Sequence, residues 1–250
     1  MKKVFHSESN DLAIYQLGSR IVNWYLLDSQ DGVVIIDTGF SGHWQQLVDA
    51  LAHLGRTYDQ VLAVLLTHAH IDHTGFAERA RQRTSADIYI HTIDAKAVRY
   101  DHGDMPSELT DNLWRPKTFF AFASAALRQG AFGAKPVAEV NTFEDDDVLD
   151  LPSRPQVILT PGHTIGHCAF YLPEEKILFS GDAICTRSPV TLQDHPPHVM
   201  EAGDDKKLAL TSLEKFSSLG EILLLPGHGA SWKGDAHNAV QNAQKMGPLL

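Results

Sequence analysis

Three imidazoles and a carboxylate fall within six residues of "LLTHAHIDHTG", at His68, His70, Asp72 and His73. As plain core material they are costly. Protonated, the rings repel one another; buried and neutral, they lack partners. A transition-metal cation removes both problems, because imidazole and carboxylate are ordinary donors to zinc, manganese or iron, and a bound cation suppresses imidazole protonation. The same donor types recur downstream. His163 stands in "ILTPGHTIGH", Asp182 in "LFSGDA" and His228 in "LLLPGHG". Each follows an apolar run and sits beside a glycine that lets the backbone turn sharply. Counted as donors, His68, His70 and His163 give three imidazoles, and Asp72, His73 and His228 give a carboxylate and two more. Asp182 is left to bridge the sets. Two ions about 3.5–4 Å apart can share one hydroxide and one carboxylate.

The remaining histidines carry weaker signals. His6, His43, His53, His91, His102 and His237 read as surface or capping residues. His167, four residues after His163, reads either as a support for the ligands or as packing. His195 and His198 in "DHPPH" fall on an expected loop near the site, where surface packing competes with substrate contact.

The elements that must position these donors follow from periodicity. "RIVNWYLLD" and "GVVIIDTG" read as two strands joined by the turn "SQDG". "SGHWQQLVDALAHLG" reads as a helix capped by Ser41, with an apolar stripe at Trp44, Leu47, Val48, Leu51 and Leu54, and stopped by Gly55. "QVLAVLLT" is a buried strand, the His-rich cluster a loop, "GFAERARQR" a helix and "ADIYIH" a strand. "PQVILT", "CAFYL" and "KILFSG" are strands, the last two a hairpin through "EEK". "DDKKLALTSLEKFSSLG" is a helix ending at Gly220, "EILLLPGHG" a strand, and a last helix starts near Asp235. This alternation predicts an α/β domain with layered sheets, spanning residues 1–250 as one unit. From about 95 to 140 the alternation stops. That stretch carries Trp114, Phe119, Phe120, Phe122 and Phe132. It reads as a helical insertion, either packed on the core or forming an aromatic cap over a substrate pocket.

Bulk properties narrow the function classes. The net charge of −10 disfavours a phosphate-tracking surface, so no nucleic-acid partner is expected. Cys168 and Cys185 are the only cysteines and read as reduced, buried thiols. "MKKVFHSESNDLAIYQLG" has no apolar stretch after its lysines, so a signal peptide is not expected. No apolar run approaches about 18 residues, so neither is a membrane partner. The expected compartment is the cytoplasm, and a homodimer is left open.

The ordered set His68, His70, Asp72, His73, then His163, Asp182 and His228, closely resembles the metallo-β-lactamase superfamily and its H-x-H-x-D-H signature. Asp37 in "IIDTG" matches that superfamily's early aspartate, which supports the metal loop. The resemblance implies an αβ/βα four-layer sandwich with the site along one edge. It implies that His68, His70 and His163 bind one ion, Asp72, His73 and His228 the other, and that Asp182 bridges. "THAHIDHTG" and "TPGHTIGH" look most like glyoxalase II and the lactone hydrolases. Two departures stand out: Thr74-Gly75 replaces the usual glycine pair, and only 22 residues follow His228, too few for glyoxalase II's helical substrate domain.

The expected activity is metal-dependent hydrolysis of an ester-like bond (lactone, thioester or carboxylic ester), with two zinc ions as cofactors. A metal-bridging hydroxide would attack the carbonyl, and Asp72 would orient it and handle the proton. The expected partner is a small carbonyl substrate with an apolar portion. Two other readings compete: a single-iron oxidoreductase like the persulfide dioxygenases, and a low-turnover ligand-binding protein on the same fold.

Overall fold

The computed structural model describes residues 1–9, 11–100, 124, 127–130, 133–200 and 203–247. Its larger sheet has seven strands in chain order: β1 (Lys2–Ser7), β2 (Leu12–Gly18), β3 (Asn23–Ser29), β4 (Gly32–Ile36), β5 (Val61–Leu65), β6 (Asp87–His91) and β7 (Asn141–Phe143). The first four strands pair antiparallel, and β4 to β7 pair parallel. The second sheet contains β8 (Gln156–Leu159), β9 (Cys168–Leu172), β10 (Ile177–Gly181), β13 (Glu221–Pro226) and β14 (Trp232–Asp235), in the order β14-β13-β10-β9-β8. A separate ribbon pairs β11 (Cys185–Arg187) with β12 (Asp194–His198).

Strand sequences that look uniformly apolar are mostly buried on both faces, because both faces are covered. In β4, Val33 and Ile35 pack on the helix side, while Val34 and Ile36 pack between the sheets. β13 divides likewise, with Ile222 and Leu224 toward the helices and Leu223 and Leu225 toward the other sheet. The inter-sheet layer also holds Phe170 and Phe179. Outside the first sheet, Trp44, Leu47 and Leu51 of α1 (Trp44–Leu54), Ala77 and Ala80 of α3 (Ala77–Arg83) and Val98 of α4 (Ala95–Tyr100) cover its face. Outside the second, Ala209 of α5 (Lys206–Ser212) and Ala236, Ala239, Val240 and Ala243 of α6 (Ala236–Met246) do the same. The order is helices, sheet, sheet, helices: a four-layer αβ/βα sandwich.

Several local expectations change. Ser41 does not cap α1. Residues Ser41–His43 form a 3-10 turn and α1 begins at Trp44, while Ser41 Oγ donates to the carbonyl of Gly130 at 2.7 Å. Gly55 ends α1 in the left-handed conformation, as its position predicts. The His-rich cluster is not wholly loop, because Ile71–Thr74 wind into the one-turn helix α2. The 186–200 stretch, expected as a loop, contains most of the β11–β12 ribbon despite Pro196 and Pro197. A two-stranded ribbon has open edges where a missing N–H costs no ladder bond. The aromatic insertion is named only in part: Trp114, Phe119, Phe120, Phe122 and Phe132 lie outside the described residues. Where the chain is described again, Gln129 accepts a bond from the Gly42 N–H at 2.9 Å.

Three hydrogen bonds bind the sheets at one edge. Cys168 N–H donates to Thr67 O at 2.8 Å, tying the start of β9 to the end of β5. Asn23 N–H donates to Gly227 O at 2.7 Å, and Tyr25 Oη donates to Pro226 O at 2.7 Å, tying β3 to the end of β13. All seven expected donors follow strands that end at this seam.

Candidate metal centre

The structure brings all seven together in three overlapping groups of three. These are His68, His70 and His163; His68, His73 and Asp182; and Asp72, His73 and His228. Within each group the candidate donor atoms lie within 4.8 Å of one another. His68, His73, His163, Asp182 and His228 are buried, and His70 and Asp72 are partly exposed, so the centre has one open side.

Supporting bonds fix which ring nitrogens are bare. Asp37 accepts from the Thr67 backbone N–H at 2.8 Å and from the Thr67 hydroxyl at 2.9 Å. The Thr67 oxygen therefore accepts from Nδ1–H of His68 at 3.0 Å, which leaves Nε2 of His68 as a lone pair. Asp37 also accepts from Nδ1–H of His73 at 2.8 Å, and Nε2 of His73 is buried with no hydrogen-bond partner. His228 donates Nδ1–H to the carbonyl of Ile21, leaving its own Nε2 bare. Asp37 holds a left-handed backbone (φ 58°) to do this, a conformation that carries strain in a non-glycine residue.

The candidate donor atoms converge on one another. Nδ1 of His70 lies 3.0 Å from Nε2 of His68 and 3.0 Å from Nε2 of His163. Nε2 of His228 faces Asp182 Oδ2 at 3.0 Å and Asp72 Oδ2 at 3.7 Å. Nε2 of His73 faces Asp182 Oδ1 at 3.5 Å and Asp72 Oδ2 at 3.8 Å. Asp182 also reaches Nε2 of His163 at 3.3 Å, so its two oxygens touch both sets. Lone pairs this close repel unless a cation or a proton stands between them. The orphaned Nε2 of His73 and the donor chemistry fit metal ions.

The electrostatics agree. Burial, reinforced by the neighbouring His73, His70 and His163, pushes the His68 pKa well below its ordinary value. Burial also lowers that of His70. Both rings are therefore held in the neutral form that ligates. His73 is different: burial opposes its charged form, but the carboxylates of Asp182, Asp37 and Asp72 outweigh it and raise the pKa well above the ordinary value. His228 is raised by Asp182 and Asp72 against the same burial. The site thus attracts positive charge. Burial likewise opposes ionisation of Asp182, yet His228 and His73 hold its carboxyl well below the usual range.

Other predicted residues sort themselves. His167 supports the ligands: its Nε2 accepts the Asp182 backbone N–H at 3.0 Å, and its Nδ1–H donates to Thr160 Oγ1 at 2.8 Å. His43 is a cap, accepting from Phe40 N–H at 3.2 Å and donating to Gln129 Oε1 at 3.0 Å, but it is buried rather than on the surface. His91 is buried as well, with Nε2 3.4 Å from Glu144 Oε2. His198 lies buried on β12 opposite Cys185, with Nδ1 against Pro196 O at 3.0 Å and His195 edge-on at 5.4 Å. Neither His195 nor His198 joins a donor group. Cys168 and Cys185 are buried and form no disulfide, and burial pushes the Cys168 pKa far up. Sequence reasoning missed Thr67, whose hydroxyl links His68 to Asp37. It also missed Asp94, whose only signal was a carboxylate three residues beyond a strand that ends at the same edge.

Comparison with known proteins places this geometry. The profile of the metallo-beta-lactamase superfamily matches residues 17–228. A probable metallo-hydrolase of Bacillus subtilis, YqgX, is 29% identical over 214 residues, covering 83% of this chain and 84% of its own. An atrochrysone carboxyl ACP thioesterase of Aspergillus fumigatus is 27% identical over 209 residues, covering 83% of this chain but 50% of its own. Among solved structures, the metallo-beta-lactamase family protein TTHA1429 of Thermus thermophilus superposes with a TM-score of 0.66 at 25% identity, over 94% of this chain and 78% of that one. TTHA1623, solved in a di-iron-bound form, gives 0.58 at 26% identity, over 92% and 97%. With its fold and residues 17–228 both matched, the chain belongs to the metallo-β-lactamase superfamily.

Proposed function

We propose that this protein is a two-metal hydrolase that cleaves an ester-like bond: a thioester, lactone or carboxylic ester. One observation carries the reading. Two sets of imidazole and carboxylate donors share Asp182, and His70 and Asp72 are partly exposed. A single-iron oxidoreductase would need only one of the sets, and a pure binder would need no open metal position.

His68, His70 and His163 would hold one ion, and Asp72, His73 and His228 the other. When bound, such ions lower the pKa of a water to about 7 and polarise a carbonyl. The chain's own residues do the rest. Asp72, the more exposed of the two donor carboxylates, orients the attacking water and carries its proton toward the leaving group. Asp37, Thr67 and His167 hold ligand positions without touching substrate. Zinc is the proposed metal, with iron as the alternative that the di-iron relative raises. The proposed substrate has an apolar portion, a reading supported by Ile165, which is exposed and follows His163 by two residues. The Aspergillus thioesterase supports a thioester among the candidates.

The deciding experiment assays the metal-loaded protein against thioesters, lactones, carboxylic esters, phosphodiesters and persulfides, with metal quantified in the same sample. Turnover of an ester-type substrate with about two metals per chain supports the reading. Persulfide oxidation with one iron overturns it.

A further inference from the structure

Asp94 is buried, belongs to none of the three donor groups, and has no part in the chemistry just described. It follows β6 by three residues, and its carboxylate reaches two different ligand loops. Oδ2 accepts from the Ala69 N–H at 3.3 Å, between His68 and His70. The same oxygen accepts from the Thr164 hydroxyl at 2.7 Å, next to His163. Oδ1 accepts from the Gly166 N–H at 3.0 Å, next to His167. A side chain at Gly166 would collide with this arrangement, since a Cβ there would stand 2.4 Å from Asp94 Oδ1.

The three partners belong to one half of the centre. Ala69 lies between His68 and His70, and Thr164 and Gly166 flank the turn that presents His163. These three histidines form one complete donor group. They come from opposite sheets, so no secondary structure fixes their separation. Asp37 supports both halves, holding Thr67 behind His68 and accepting from His73 directly.

We propose that Asp94 is a positioning residue that clamps the two ligand loops together and thereby sets the metal affinity of the His68–His70–His163 site. The chemistry requires an acceptor-only group here, because all three partners are donors. Asparagine has nearly the same shape but must point its NH₂ at one of the backbone N–H groups, which opens one side of the clamp. This inference rests on the metal-centre reading given above.

The test titrates metal-free protein with Zn²⁺ against a chromophoric chelator. Wild type should take up two equivalents. In Asp94→Asn, one equivalent should weaken by about 10–100-fold, the usual effect of losing a partner behind a ligand shell, while the other changes by no more than about threefold. Thr164→Val, which removes one bond and keeps the volume, should weaken the same equivalent by less. Metal-free melting temperatures measure the separate cost of the lost buried hydrogen bonds, so that the affinity of each equivalent is compared in folded protein. Two tight equivalents in both variants, or equal weakening of both equivalents, would overturn the clamp and leave the metal centre standing. Wild type that binds no Zn²⁺ would overturn both.

Discussion

Asp72 and Asp182 are both carboxylates of the centre, yet their surroundings assign them different work. Asp182 is enclosed and touches His163 and His228 with one oxygen and His73 with the other. Asp72 is partly exposed and lies at the longer distances of 3.7 and 3.8 Å from His228 and His73. Replacing Asp72 by Asn should therefore cut turnover at least about 100-fold while leaving much of the metal in place. Steady-state rates on the best substrate check this, and near-normal kcat would remove Asp72 from the proton path. His198 gives a pH prediction outside the donor set. Burial lowers its pKa to about 4, against about 6.5 in an unfolded chain. Between those values the unfolded chain takes up a proton that the folded chain refuses. His198 therefore costs nothing at neutral pH and subtracts up to about 3 kcal/mol as pH falls through the window. Urea unfolding of metal-free protein should show wild type losing more stability than His198→Leu between pH 7 and 4.5. Parallel losses would contradict it. The seven candidate donors that the structure brings together were legible at this scale because ligand chemistry leaves few substitutes. Thr67 and Asp94 were not, because a buried hydroxyl or carboxylate reveals its partners only once distant loops meet.

At the scale of elements, strand ends and glycines set the site. β4, β5, β10 and β13 were readable as apolar runs, and each delivers its polar residue at the shared edge. The N-terminal hairpin β1–β2 and the β11–β12 ribbon were not read. β1 is half exposed, and β12 contains two prolines that argue against a strand everywhere except at an open edge. Gly75 shows how tightly the short helix α2 is seated. A Cβ there would lie 2.3 Å from Gly39 O and 2.4 Å from both Phe40 C and Ser41 N, all backbone atoms that cannot rotate away. Gly75→Ala should destabilise the protein by about 1–3 kcal/mol and loosen His73, which precedes it by two residues. Thermal unfolding with and without metal checks this, and an unchanged melting temperature would mean that the α2 contact is softer than its geometry.

The centre belongs to the whole molecule, since His68, His70, Asp72 and His73 follow the first sheet while His163, Asp182 and His228 follow the second. The layered class was legible from alternating strand and helix patterns. The pairing of the two sheets was implied only by the family resemblance, because no local pattern states which edges meet; Cys168 with Thr67 and Asn23 with Gly227 show it in three dimensions. Among the described residues no helix is long and apolar enough to cross a membrane. The apolar strands instead spend both faces on the inter-sheet and helix layers.

The central claim is that two ions share Asp182 at this seam, and metal analysis of the purified, undialysed protein tests it most directly. Wild type should carry close to two transition-metal ions per chain, and Asp182→Ala should lose more than one of them, because this carboxylate touches donors of both sets. A wild type holding a single ion, or an Asp182→Ala protein that keeps its full complement, would contradict the account.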